Sequence, residues 1–186
     1  VRQKKDTLLS SIYDMYFDEG VVTSNQCTSL YDNLPTAEEG QIRINDELYS
    51  DKANEYSDLI GQKIKYIYKY TNGMKFKELI VCVTDNQKEW TDIKGELSEI
   101  RSGNTVKYYQ SDDSDKFTQV EIRNAVLVYN GCANFNATTE DIKNAVLSEN
   151  AITNIYQNDY AKYNMIAIVN DYVNYEVKAY DSTHNI

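Results

Sequence analysis

Residues 62–70, QKIKYIYKY, narrow most sharply what this chain can fold into. Ile64, Tyr66, Tyr68 and Tyr70 fall on one side of an extended strand, and Lys63, Lys65, Ile67 and Lys69 on the other. That period of two belongs to a strand and not to a helix. The neighbouring segments fit around it. In QIRIN, Ile42 and Ile44 oppose Gln41 and Arg43, and Asn45-Asp46 offers a two-residue turn into ELYS. DKANEYSDLIG reads as a short helical segment stopped by Gly61. TNGM then turns the chain, and KELIVCVTD returns as a buried strand. Upstream, residues 21–23 and 27–30 read as one long bent strand, followed by a loop holding the single proline, Pro35. The order is strand, strand, strand, short helix, strand, strand. That is the order of an OB-type barrel, a small Greek-key closure that hides its edges.

Other periods flank this unit. Leu8, Leu9, Ile12, Tyr13, Tyr16 and Phe17 recur at steps of three and four, which predicts an N-terminal helix capped by Asp6 or Thr7 and ended by Gly20. After Trp90 the strand pattern restarts. Residues 105–122 read as a hairpin with an acidic tip, and 124–131 as a strand ending in a turn. A short helix is expected over 138–150, capped by Thr138 or Thr139, and three more strands over 151–181. The predicted fold class is therefore mainly β with short helices (α+β). It comprises an N-terminal helix (1–19), an OB-like β module (20–90) and a second β-rich module (91–186).

Composition restricts the partners. Of the aromatic residues, 17 are tyrosine against four phenylalanines and one tryptophan, a bias suited to half-buried strands with packed rings and wet hydroxyls. A net charge of −10 opposes phosphate backbones and anionic membranes, and the dense basic run at residues 2–5 reads as solvated surface. Neither nucleic acid nor membrane insertion is expected, since no apolar run reaches transmembrane length. No signal peptide is recognised. The initial Val1 suggests a piece of a longer protein. Cys27, Cys82 and Cys132 lack zinc-site spacing and imply no disulfide framework. Cys82, within LIVCVT, reads as an inert core residue.

Catalytic constellations are sparse. His184, the single histidine, lies in a polar tail, and no Ser-His-Asp or Cys-His arrangement builds around it. No glycine-rich phosphate loop is present, and no cofactor is expected. Asp112, Asp113 and Asp115 share one loop that offers oxygen ligands to a hard cation, although a solvated hairpin tip explains them as well. Tyr66, Tyr68 and Tyr70, interleaved with lysines, are candidates for ligand binding on a barrel face. Strict alternation, however, sends the rings and the ammonium groups to opposite sides. Asn136-Ala137-Thr138 is a formal glycosylation triplet of small weight.

The stretch DTLLSSIYDMYFDEGVVTSNQCTSL resembles the region that follows the S-layer homology domains in large surface proteins of clostridia and related Firmicutes. The residues carrying the likeness are Asp6, Thr7, Leu8, Leu9, Tyr13, Gly20, Val22, Asn25, Thr28, Ser29 and Leu30. It continues through Gly40, Ile44, the DLIG at 58–61 and the tyrosine-rich strand, then NTVKYY, VLVYNG and AIVNDYVNYEV. The resemblance implies tandem β modules in an extracellular assembly at the cell surface, without enzymatic activity. Its partners would be other copies or components of a repeating array, with cell-wall glycan as a further candidate. Two alternatives stand beside it: a structural protein of a bacteriophage virion (tail, collar or capsid), and a carbohydrate-binding module. Members of that family often carry an acidic turn that looks calcium-binding. The matching positions here are Tyr156, Asn158, Tyr160 and Asn164, which make a poor calcium cage, so no tight metal is expected.

Overall fold

The computed structural model describes residues 10, 13–52, 55–71, 73, 76–111, 114–158 and 165–172. The first five strands are β1 (Met15–Ser24), β2 (Gln41–Ile44), β3 (Glu47–Ser50), β4 (Lys63–Thr71) and β5 (Phe76–Thr84). They form a closed barrel in the order β1-β2-β3-β5-β4. β1 makes the closure possible because it is long enough to serve two neighbours. It pairs with β4 from Met15↔Lys69 to Val21↔Lys63, and with β2 at Val22↔Ile44, next to a register shift between Val22 and Ser24. A single parallel pair, Ser50↔Glu78, joins β3 to β5. The Asn45 turn has positive φ, 53°, and its side-chain carbonyl accepts from the Val21 amide at 3.0 Å. A 3-10 turn, Ser57–Leu59, occupies the place of the expected short helix, and Gly61 at φ +79° ends it.

Two expectations for the first 30 residues are corrected. The helix over 1–19 does not reach its expected end: residues from Met15 onward are strand. Asp14 takes φ 53°, which breaks a right-handed helix, and the pairing with β4 then satisfies the backbone of Met15 to Gly20. Tyr16 stacks on Tyr68 at 5.5 Å and meets Tyr70 edge-on at 5.3 Å, so the period-of-two side won the aromatic residues from the helical stripe. Ser10 and Tyr13 are helical, and most of the remaining span lies outside the described residues. Residues 27–30 contribute only an isolated bridge, Ser24↔Ser29, instead of a bent continuation of the strand. The Asn25 side-chain oxygen accepts from the Cys27 and Thr28 amides at 2.9 and 2.8 Å, a local turn that competes with extension.

The second half adds β6 (Lys88–Lys94), β7 (Ser98–Ile100), β8 (Thr105–Tyr109), β9 (Phe117–Glu121), β10 (Ala125–Tyr129) and β11 (Cys132–Asn134). It ends with α1 (Thr139–Val146), β12 (Ala151–Gln157) and β13 (Met165–Asp171). β7, β8 and β9 make a three-stranded sheet, while a five-stranded sheet runs β11-β10-β13-β12-β6. In the latter only β10 and β13 are parallel, their crossover carrying β11, α1 and β12. α1 begins with a complete capping box, in which Thr138 and Asp141 satisfy one another's backbone amides.

The five-stranded sheet is apolar on both faces. Val126, Val128 and Ile166 join the barrel residues Val22, Ile60, Ile64 and Tyr66 in one core cluster. On the other face Leu127, Met165, Ala167 and Val169 pack with Ile142 and Val146 of α1 and with Val106, Tyr108 and Val120 of the small sheet. The boundary expected after residue 90 falls inside β6, which pairs with β12 on both sides of that point. The barrel and the sheet share one seam. There Asn158, 1% exposed, donates to the Gly61 carbonyl at 3.3 Å and to the Asn86 side chain at 3.1 Å.

Candidate functional site

Alternation along β4 delivers Tyr66 and Tyr68 to the barrel interior, where they meet Tyr49 of β3. Ring centroids lie 5.2 Å apart for Tyr49–Tyr66 and 5.4 Å for Tyr49–Tyr68, both edge-on, the geometry aromatic quadrupoles prefer. The Tyr49 and Tyr66 hydroxyls are 3.0 Å apart, and Tyr49 donates to a Glu47 carboxylate oxygen at 3.0 Å. Glu47 in turn pairs with Lys77 of β5. The Lys77 ammonium sits 5.2 Å from the Tyr49 ring centroid and 5.3 Å from that of Tyr68, a cation lying against aromatic rings.

The electrostatics follow from this nesting. Burial, reinforced by the Tyr66 hydrogen bond, pushes the pKa of the Tyr49 hydroxyl far above its ordinary value. Burial also raises Tyr66 to about 12. The hydrogen bond from Lys77, then that from Tyr49, holds Glu47 below the usual carboxylate range. Each group is thereby kept in its ordinary neutral-pH state. The cluster is a structural plug of hydroxyls, with its one carboxylate engaged.

Tyr70 emerges at the barrel mouth, where it lines an open depression of about 420 Å³ with Gln41, Leu48, Phe76 and Lys77. Of the three tyrosines singled out from sequence, Tyr66 and Tyr68 are 3% and 8% exposed and offer no face to a ligand, whereas Tyr70 lines this mouth. Phe76, Lys77 and Glu47 were not foreseen. Glu47 and Lys77 stand on different strands, and no local period connects them.

The lysines interleaved with those tyrosines are on the outer wall. Lys63 pairs with Glu19, Lys65 with Asp85 at 2.7 Å, and Lys69 with Glu78 at 3.9 Å. Between these pairs runs an apolar stripe. The register places Phe17 beside Ile67 and Ile67 beside Val81, across β1, β4 and β5. Phe17 is 36% exposed, Val81 41% and Val83 61%.

Asp115 is exposed beside Ser114, and Asp112 and Asp113 lie outside the described residues, as does His184. Among the described residues no group of three or more His, Cys, Asp and Glu side chains is placed to hold a metal. Within the turn compared with the calcium loops, Tyr156 and Asn158 are buried in the seam, and residues 159–164 lie outside the described residues. Burial raises the Cys82 thiol to about 12, while Cys27 and Cys132 are exposed. No helix among the described residues is long and apolar enough to cross a membrane. No family model, no curated protein and no solved structure matches this chain.

Proposed function

We propose that this chain is a non-catalytic structural module of a large repeating assembly of the S-layer type at the cell surface, and that its first unit is an OB-type barrel. The strand order of the closed barrel, with a short helical turn between β3 and β4, supports the OB reading. The observation that carries the assembly reading is the stripe of Phe17, Ile67, Val81 and Val83. Isolated exposed apolar residues are ordinary, but four neighbours on one wall form a contact patch. It is flanked by ion pairs that cancel locally, so two walls meet without the repulsion of a net charge of −10. The non-catalytic reading is supported by the barrel mouth, where the groups able to exchange protons are spent on one another.

Sedimentation velocity on the isolated chain tests this. The chain is expected to be monomeric at low micromolar concentration and to self-associate weakly at concentrations about a hundredfold higher, as contacts meant for a crowded array do. Val81→Lys with Val83→Lys should abolish that association while leaving the fold intact. A wild-type chain that stays monomeric throughout, or a double variant that associates equally well, refutes the reading. So does a tight, salt-resistant oligomer, since the module would then carry its own complete interface.

A further inference from the structure

The sole tryptophan of the chain stands on β6, where a bulge redirects it. Thr153 pairs with Ile93 and Ile155 with Trp90, so one residue of β12 faces two of β6. Asp92 takes φ 56° in the bulge, and its amide donates to the Asn154 side-chain oxygen at 2.9 Å. The extra residue places both Trp90 and Ile93 on the face that looks away from the barrel. Ile93 is fully buried there, whereas Trp90 lies at the end of the sheet and stays partly exposed.

Trp90 forms one wall of a groove of about 460 Å³ between the five-stranded sheet and β9, within the size range of small-ligand sites. Lys88 and Gln157, cross-strand partners, line it on one side, and Gln119 and Glu121 of β9 on the other. Among the described residues the side chains of Lys88, Trp90, Gln119 and Gln157 make no hydrogen bond or ion pair. Glu121 and Arg123 pair at 2.6 Å, and the Arg123 amide also donates to the Met165 sulfur at 3.5 Å. Among the described residues the groove therefore combines an aromatic face with two neutral amides, an indole N–H and one ammonium, all uncommitted.

We propose that this groove binds a glycan, with one pyranose ring stacked on Trp90 and its hydroxyl or acetamido groups held by Gln119, Gln157 and Lys88. A pyranose ring has an apolar C–H face that packs on an aromatic surface and an equatorial rim of donors and acceptors. Primary amides, carrying two donors and an acceptor, match that rim. A neutral sugar is favoured over a polyanion because the chain as a whole carries −10. This goes beyond the assembly reading and does not depend on it, since the groove uses none of the outer-wall residues.

The single tryptophan makes the test direct, because its emission reports this groove alone. Titration of the full chain with chitotriose, and separately with cellotriose, should give a saturable change in emission with at least one. Calorimetry should then show an affinity lowered about tenfold by Trp90→Ala, the scale of one lost stacking contact. Because Trp90 also touches the core, Gln119→Ala and Lys88→Ala, both at exposed positions, provide variants that leave packing intact. Each should weaken binding severalfold with an unchanged melting temperature. The proposal is overturned if neither sugar binds at about 10 mM, an affinity too weak for a built site. It is equally overturned if binding persists unchanged in all three variants.

Discussion

Gly61 lies where barrel and sheet approach closely, and its replacement by alanine tests how they are joined. Its φ is +79°, a left-handed conformation that costs a residue with a Cβ roughly 1–2 kcal/mol. The added Cβ would also lie 2.8 Å from Ile166 Cγ2 and 3.1 Å from Ile166 Cβ. Ile166 is fully buried, and its neighbours leave it little room. Overpacking of this kind costs roughly 1–3 kcal/mol. The backbone has little freedom to retreat, because the Gly61 amide donates to the Val22 carbonyl at 2.8 Å and its own carbonyl accepts from Asn158. Gly61→Ala should therefore destabilise by roughly 2–5 kcal/mol.

A second substitution separates the two contributions. Ile166→Leu removes Cγ2, the atom met first, and alone should cost less than about 1.5 kcal/mol. In the double variant the nearest contact is removed and the conformational cost remains, which gives a favourable coupling of about 1–2 kcal/mol. Urea unfolding, followed by tryptophan emission and by far-ultraviolet circular dichroism, measures all four corners of the cycle. Both signals should share one midpoint, since a single core cluster spans barrel and sheet. A single-variant cost below about 1 kcal/mol, or additivity within about 0.5 kcal/mol, would refute the close approach and the reasoning built on it.

The buried tyrosines set an alkaline limit. Burial raises the pKa values of Tyr49 and Tyr66, so their contribution to stability is complete below the unfolded value near 10. It is lost as pH rises toward the folded value, about 12 for Tyr66. Ultraviolet titration should show these hydroxyls ionising only as the protein unfolds; full ionisation near pH 10 with the fold intact would contradict the nested cluster. The thiols should divide in the same manner. Exposed Cys27 and Cys132 are expected to react promptly with an aromatic disulfide reagent, and Cys82 only in denaturant, whereas three equal rates would place Cys82 at the surface.

The parts of this architecture set by local periodicity were legible in the sequence. Ile64, Tyr66 and Tyr68 alternate with lysines because one barrel face is dry and the other wet, and the strands at 41–44, 47–50 and 63–71 follow that rule. A cap at Thr138 or Thr139 was legible, and the reciprocal bonds with Asp141, three residues on, settle it as Thr138. Residues 15–19 were misread because Tyr16 and Phe17 fit a helical stripe as well as a strand. Only pairing with β4, some 50 residues distant by the register Met15↔Lys69, decides between them. The place of Trp90 was hidden for a similar reason. Its face depends on a bulge at Asp92 that is held by Asn154, and nothing near Trp90 in the sequence announces that contact. The barrel mouth likewise needs Glu47 and Lys77 to meet across β3 and β5, which only closure brings about.

The seam also imposes an order of events during synthesis. All five barrel strands are complete once Thr84 has been made, and every pairing that closes the barrel lies among them. β6 follows at once, but its partner β12 starts only at Ala151, and the parallel partner of β10 starts at Met165. Such distant pairings form slowly, because the loop must close before any contact rewards it. Ile60 and Gly61 must therefore wait, uncovered, until Ile166 arrives, while β6 waits as an unpaired strand beside them. The nascent chain is most vulnerable to misassociation in this interval, between a finished barrel and an unfinished sheet. The Asn158 hydrogen bonds to Gly61 and Asn86 become possible shortly before Ile166 arrives, and the pairing of β13 ends the interval.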